Sequence, residues 1–358
     1  MLAGAGDITF MRLAPVGLTH YAEADARAAN ALATATKQPR SAFVQRAKHW
    51  LLKRQYTGCR AYFARNPEVV AVAWNGLNGT RRVFMDAAKD AGNKTLFFEL
   101  APFADRITID PKGVNFANSL PRNVDPYVKW AATHAKDKDS WRALRDTIAQ
   151  RKPSAAVTVS NKVLPLTQPF VFVPLQVPGD SQLRIYGGAF KTVDLFVAAI
   201  LKAAEQTPKG WHIRIKEHPS ALPFVKDAID KAGVDNVVLD NITDTFEQVK
   251  QANLILTVNS SVGLEAMFFD KPVVACGDCF WAIDGIAASA RTQEDVAQVL
   301  SRPDAVTFDA AARQAFLSYL DACYYPKISK PENAAIETRI AGRDQNGFWD
   351  ACDERNSA

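Results

Sequence analysis

Much that would assign this 358-residue chain quickly is missing from it. No run of about 18 apolar residues occurs, so no membrane-spanning helix is predicted, and residues 1–20 lack the basic start and apolar stretch of an export signal. Cysteine is scarce: Cys59, Cys276, Cys279, Cys323 and Cys352 are dispersed and odd in number. That excludes a disulfide framework and points to a reducing compartment, the cytoplasm. Charge of one sign is scarce too. The net charge of +5 comes from 43 basic residues scattered among 38 acidic ones, not from a block or stripe, so no nucleic-acid partner is expected. The P-loop and dinucleotide-binding glycine fingerprints, HExxH and GxSxG are all absent, which lowers ATPase, NAD enzyme, metalloprotease and ordinary hydrolase chemistry.

What is present suits an ordinary globular protein. With 48% hydrophobic and 23% charged residues the chain can bury a sizeable core, and its length favours two domains over one. Residues 20–66 are rich in Ala, Arg, Lys and Gln with apolar residues at helical intervals, and predict one or two helices. A β-branched run from Val69 to Trp74, a helix over Thr80–Ala91 and an apolar strand from Lys94 to Glu99 make a βαβ unit, hence a parallel sheet. Residues 102–126 read as loop and 126–150 as a charged helical stretch. Residues 151–168 are proline-marked and form the best linker candidate.

A second α/β series follows. Strands are predicted at Phe170–Pro174, Trp211–Lys216, 236–239, 253–258 and 272–276, with helices between them, one at 191–206. Alternation this regular argues an α/β protein with a doubly wound sheet, its two halves facing an interdomain cleft. The expected domains are 1–160 and 161–325, followed by a C-terminal segment, 326–358. Residues 1–60 lack a clear first strand of a Rossmann-type domain, which implies a trimmed or reordered N-terminal half.

Three strand ends carry candidate chemistry. Asn253–Met267 runs from an apolar strand into Asn259, Ser260 and Ser261 and then a helix; such a turn leaves N–H groups facing outward and suits a phosphate, with Gly263 allowing close approach. Helix capping alone explains the serines about as well. Ile213–Ser220 ends a strand in Lys216, Glu217, His218 and Pro219; the histidine can donate to a phosphate or leaving-group oxygen, although a lone histidine is more often structural. Val173–Arg184 contains Asp180 in a Pro-Gly turn, ordinarily a turn residue but also a candidate carboxylate nucleophile. Glu99, at the tip of a first-domain strand, would face the same cleft as acid or base. Cys276 and Cys279 have redox spacing in the wrong context and read as coincidence.

The set Glu217-His218-Pro219, Asn259-Ser260-Ser261-Val262-Gly263-Leu264-Glu265 and Lys271-Pro272-Val273 resembles the capsule polysaccharide biosynthesis proteins, and within them the retaining β-Kdo transferases that use CMP-Kdo. Gln176-Val-Pro-Gly-Asp180-Ser181 resembles their glutamine-valine-aspartate turn. Phe98-Glu99 with Asp110, Lys112, Gly113 and Asn115 resembles their N-domain acidic motif. The His-Pro and Ser-Ser pairs are also similar to those of bacterial CMP-sialic acid transferases.

The resemblance implies an α/β, GT-B-like pair of Rossmann-type doubly wound domains with a central cleft, and a C-terminal segment that packs back on the first domain. It implies Asp180 as nucleophile, His218 on the CMP phosphate, and Ser260 and Ser261 at the same phosphate, with Lys216, Pro219, Gly263 and Glu265 completing the donor site. Glu99 would be an acid/base or acceptor-orienting group. It implies no metal and no cofactor beyond the CMP-Kdo donor, and a glycan or glycolipid acceptor of the capsule or O-antigen kind. A UDP- or GDP-sugar transferase and a non-catalytic subunit of a polysaccharide assembly complex are the alternatives. Membrane association, if any, would be peripheral, on the inner face of the inner membrane through basic residues or a partner, since no amphipathic anchor stands out.

Overall fold

The computed structural model describes residues 2, 6–11, 14–35, 37–134, 139–148, 164–221 and 224–341. The chain forms two compact units: residues 1–101, 105–121 and 320–358 make the first, residues 102–104 and 122–319 the second. The divisions fall at 121/122 and 319/320, whereas the sequence analysis sets them at 160/161 and 325/326. Of the linker candidate, residues 151–163 lie outside the described residues.

The first unit begins with helices α1 (Ala24–Ala33) and α2 (Ala42–Arg65). Ser41 caps α2 by accepting from the Val44 N–H, which fixes where the helix starts. Leu52, Tyr56, Cys59 and Phe63 recur at helical spacing along one side of α2 and are buried. They pack with Val83 and Ala87 of α3 (Gly79–Ala91), which ends at Gly92 in the left-handed conformation, φ +84°. Strands β1 (Ala71–Trp74) and β2 (Thr95–Leu100) flank α3 and pair in parallel, giving the expected βαβ unit. Among the described residues no strand precedes β1.

The stretch read as loop after residue 102 holds a third strand, β3 (Ile107–Asp110), which pairs antiparallel with β2. It escaped notice because four residues between Asp105 and Pro111 leave too short a pattern, and Asp110 looked like turn chemistry. This unit's sheet therefore has three strands, in the order β1-β2-β3. The end of the chain completes it. Ala334, Ile336 and Ile340, the last two on α12 (Ile336–Ala341), join Leu96, Phe98, Ile107 and Ile109 in one apolar cluster.

In the second unit, α4 (Asp125–Thr133) sets Tyr127 and Trp130 edge-on against Phe316 and Tyr319 of α11 (Ala310–Tyr319). The sheet is built from β4 (Phe170–Pro174), β5 (His212–Lys216), β6 (Val237–Leu239), β7 (Leu254–Thr257), β8 (Val273–Ala275) and β9 (Ala288–Ser289). Its order is β6-β5-β4-β7-β8-β9, and every pairing is parallel. Numbered within the unit, this is 3-2-1-4-5-6, the doubly wound nucleotide-binding order.

The connections are α5 (Ser181–Tyr186) and α6 (Val193–Ala203), then α7 (Lys226–Ala232), α8 (Thr245–Gln251), α9 (Ser261–Ala266) and, after β9, α10 (Gln293–Ser301). Strands buried on both faces read as continuous apolar runs, as Phe170-Val-Phe-Val does, and that is why this half was legible. β9, two residues long, was not.

Candidate functional site at the strand-order reversal

The strand order reverses between β4 and β7, and in sheets of this kind ligands bind beyond the carboxyl ends of the strands at that point. Pro174 of β4 stands level with Lys216 of β5, and Phe172 with Ile255 of β7. The turns carrying Asp180, His218 and Ser260 therefore leave three neighbouring parallel strands at one edge of the sheet. Sequence analysis singled out all three turns.

Asp180 caps α5. Its Oδ1 accepts from the Gln182 N–H at 2.8 Å and its Oδ2 from the Gln176 Nε2 at 3.2 Å. Gly179, at φ +80°, makes the turn that brings it there. Gln176 is buried, and its Oε1 accepts from the Asn259 N–H at 3.4 Å, which ties the β4 exit to the β7 exit. Asn259 Nδ2 donates to the Gln182 carbonyl at 3.1 Å and the Asp278 carbonyl at 3.4 Å. Its Oδ1 is buried and accepts no hydrogen bond among the described residues. Gln176 and Asn259 thus lace together the loops after β4, β7 and β8. Both were quoted in the resemblance, yet neither was chosen as a site residue, because amides offer no acid, base or nucleophile to look for.

Ser260 caps α9, its Oγ accepting from the Val262 N–H at 3.3 Å, and Ser261 is the exposed first residue of that helix. Glu265 is half-buried a turn further on. At Gly263 a Cβ would stand 2.5 Å from the Trp281 ring. The missing side chain makes room for an indole.

On the β5 exit, Lys216 is buried and donates to the carbonyls of Asn241, 3.0 Å, and Thr243, 2.7 Å; burial pulls its pKa below the usual lysine value. Those two carbonyls occupy two of its three protons, so it holds the loop after β6 in place.

Glu217, buried, accepts from the N–H groups of Phe224 at 2.6 Å and Val225 at 2.9 Å on one oxygen and from Asn241 Nδ2 at 2.7 Å on the other. Asn241 Oδ1 returns the bond from the Glu217 N–H at 2.8 Å. The loop holding His218 and Pro219 is closed at its base by this reciprocal pair. His218 Nδ1 accepts from the Ser220 N–H at 3.1 Å, which puts the proton of the neutral ring on Nε2. Asn241, immediately after the 236–239 strand, was missed; its signal was only a polar pair, Asp240-Asn241, at a strand end.

Glu99 belongs to the first unit, at the end of β2. Its Oε2 accepts from Asn75 Nδ2 at 2.7 Å, and Asn75 sits at φ +63° at the exit of β1. Asp110, of the same expected motif, is buried and accepts from the N–H groups of Lys112, Gly113 and Ser119, the Ser119 hydroxyl and the Tyr324 hydroxyl. It organises the turn after β3. Cys276 and Cys279 are free, buried thiols whose pKa values burial pushes up, in keeping with inert core residues.

Sheet order and topology together define a class: an α/β, GT-B-like fold whose second unit is a parallel, doubly wound module. Residues 140–325 match the capsule polysaccharide biosynthesis protein family, more than half of the chain, and the chain belongs to that family. Protein FixF of Sinorhizobium fredii is 30% identical over 279 residues, 76% of this chain and 64% of that one. The capsule polysaccharide export protein KpsS of Escherichia coli is 25% identical over 251 residues, 56% of this chain and again 64% of that one. The matched part spans less than two thirds of either relative. Among solved structures, the β-Kdo 2,7 transferase of KpsC from Thermosulfurimonas dismutans superposes with a TM-score of 0.50 at 13% identity, over 76% of this chain and 82% of that one. That similarity is one of fold.

Proposed function

We propose that the protein transfers Kdo from CMP-Kdo to a glycan or glycolipid acceptor of a bacterial surface polysaccharide, with retention at the anomeric carbon. The observation that carries this reading is the convergence of Asp180, His218 and Ser260 on three neighbouring strand exits at the order reversal. Membership of the capsule polysaccharide biosynthesis family and the shared fold with a β-Kdo transferase support the sugar and the pathway class.

In this reading an Asp180 carboxylate oxygen attacks the anomeric carbon as the bond from that carbon to the CMP phosphate oxygen breaks. Its orientation comes from Gln182 N–H and Gln176, which leave further lone pairs on both oxygens. His218 Nε2–H, the Ser260 hydroxyl and the Ser261 N–H meet the departing phosphate, donors fixed in place before charge develops. An acceptor hydroxyl then displaces Asp180 from the sugar, giving its proton to a base. The reaction needs no metal, and the work is placed in the cytoplasm.

The test is intact-mass analysis after incubation with CMP-Kdo generated in place, on wild type, Asp180→Ala and Asp180→Asn. Wild type should gain one Kdo residue and both variants none. Absence of an adduct together with no thermal stabilisation by CMP would overturn the reading.

A further inference from the structure

Between residues 26 and 67 the chain has nine Lys and Arg and no Asp or Glu, against near balance over the whole sequence. Most of that run is α2, and the function proposed above makes no use of it. Leu52, Tyr56, Cys59 and Phe63 turn one side of α2 into the core. With about 100° per residue, Phe43, Ala47, Trp50 and Leu51 fall on the opposite side, Val44 beside them, Arg46 along one edge and Lys48 along the other. Phe43 is 77% and Trp50 57% exposed.

The stripe does not stop where the helix becomes covered. The segment Pro15–Leu18 crosses α2 there: Gly17 N–H donates to the Arg54 carbonyl at 2.9 Å, and Thr57 Oγ1 donates to the Gly17 carbonyl at 2.6 Å. Gly58 has no room for a Cβ beneath that crossing. Flanking Gly17, Val16 and Leu18 stand 67% and 80% exposed. From Phe43 to Gly58 the face is roughly 22 Å long at the helical rise.

Singly exposed apolar residues need no explanation, but a contiguous stripe rimmed by one sign of charge does. We propose that this face of α2, with Val16 and Leu18, docks the protein flat on an anionic bilayer surface. Phe43, Trp50 and Leu51 enter the headgroup boundary while Arg46, Lys48 and Arg54 lie against lipid phosphates. Arg54, whose guanidinium sits 5.5 Å from the Trp50 ring centre, links the two kinds of contact. Asp25, which holds Lys53 at 2.6 Å, is the carboxylate at the margin of this face.

Charge complementarity selects the occupant. A second copy would bring the same cations face to face, whereas phosphates neutralise them. From sequence no amphipathic anchor stands out because the apolar residues of α2 lie on two opposite sides, which blurs the pattern that a one-sided helix would show.

The test needs no sugar nucleotide, so its failure is separate from failure of the donor assignment. The full chain is floated with vesicles of phosphatidylcholine alone or mixed with phosphatidylglycerol. Wild type should partition only to the anionic vesicles, less so at high salt. Arg46→Gln and Lys48→Gln should each weaken partitioning about fivefold. Phe43→Ser with Trp50→Ser should weaken it by about tenfold or more. Unchanged melting temperatures would confirm that the variants fold. Failure of wild type to float with anionic vesicles overturns the proposal, as does flotation indifferent to the serine pair. Self-association that the serine pair dissolves, without flotation, would assign the face to a second copy.

Discussion

Asp180 combines two duties that separate on mutation. As a cap it satisfies an otherwise orphaned N–H of α5, and as the proposed nucleophile it must present a free lone pair. Asp180→Asn keeps an oxygen for the Gln182 N–H, so it should lose the sugar adduct with little loss of stability. Asp180→Ala removes the cap too and should cost about 1 kcal/mol in addition, read by denaturant melts. Equal stability for both variants would mean that the cap contributes nothing.

His212 poses a different question at the same scale. It stacks on Phe170 with ring centres 5.2 Å apart, and neither of its buried ring nitrogens makes a well-formed hydrogen bond among the described residues. Burial first, and the nearby Arg214 guanidinium second, pull its pKa from 6.5 down to about 4. Below pH 6.5 the unfolded chain takes up a proton that the folded chain refuses until about pH 4. Stability is therefore full above that window and falls through it as pH drops, by up to about 1.4 kcal/mol per pH unit. Urea melts across the window should show this slope in wild type and a shallower one in His212→Phe.

Elements place the site more than any single side chain does. The loop from His218 to Val225 has its two ends joined by Glu217, which holds the amides that begin α7 and also Asn241 from the next strand exit. In Glu217→Gln, a side-chain N–H₂ would meet the Asn241 N–H₂ or else leave the amides without an acceptor. Either way a buried group goes unpaired, at roughly 1–3 kcal/mol. Hydrogen exchange should report the change as faster exchange at Phe224 and Val225, while amides of β7 stay protected. Uniform loss of protection would mean that Glu217 stabilises the whole sheet and not this loop.

The same scale sets what was legible in the sequence. The strands from Phe170 to Ala275 announced themselves because fully buried parallel strands are short apolar runs separated by helices. The turns after them were legible because Ser, His-Pro and Pro-Gly-Asp are distinctive at strand ends. The partners of those turns were not, since Gln176 meets Asp180 and Asn259, and Glu217 meets Asn241, only once the strands are side by side. Gly263 shows the limit plainly: nothing local to it announces Trp281, an indole 18 positions away in the chain that lies where a Cβ would stand.

At the scale of the whole molecule, the first unit is discontinuous: it opens the chain and is finished by residues after 319. A returning segment was expected from the family resemblance alone; periodicity could not reach it, because β3 is four residues long and its partners lie more than 200 positions away. The Tyr324 hydroxyl reaches Asp110, and burial, with that carboxylate beside it, raises the phenol's pKa. Arg339, buried on α12, donates to the carbonyls of Ala334, at 2.7 Å, and of Ile109, Cys323 and Tyr324. One guanidinium thus joins the returning segment to β3.

Replacing it strips those carbonyls of a charged donor, and each such bond is worth about 1.5–3 kcal/mol, although not additively. Arg339→Met, which keeps much of the apolar stem, should therefore destabilise the first unit by roughly 3 kcal/mol or more, close to what a small domain can spare. Because the second unit has its own sheet and core, the loss should be local. Hydrogen exchange should accelerate at Leu96, Phe98 and Ile107 while Val171, Ile213 and Leu254 keep wild-type protection. If all six amides lose protection together, the two units unfold as one, and the returning segment stabilises the entire chain and not the first unit alone.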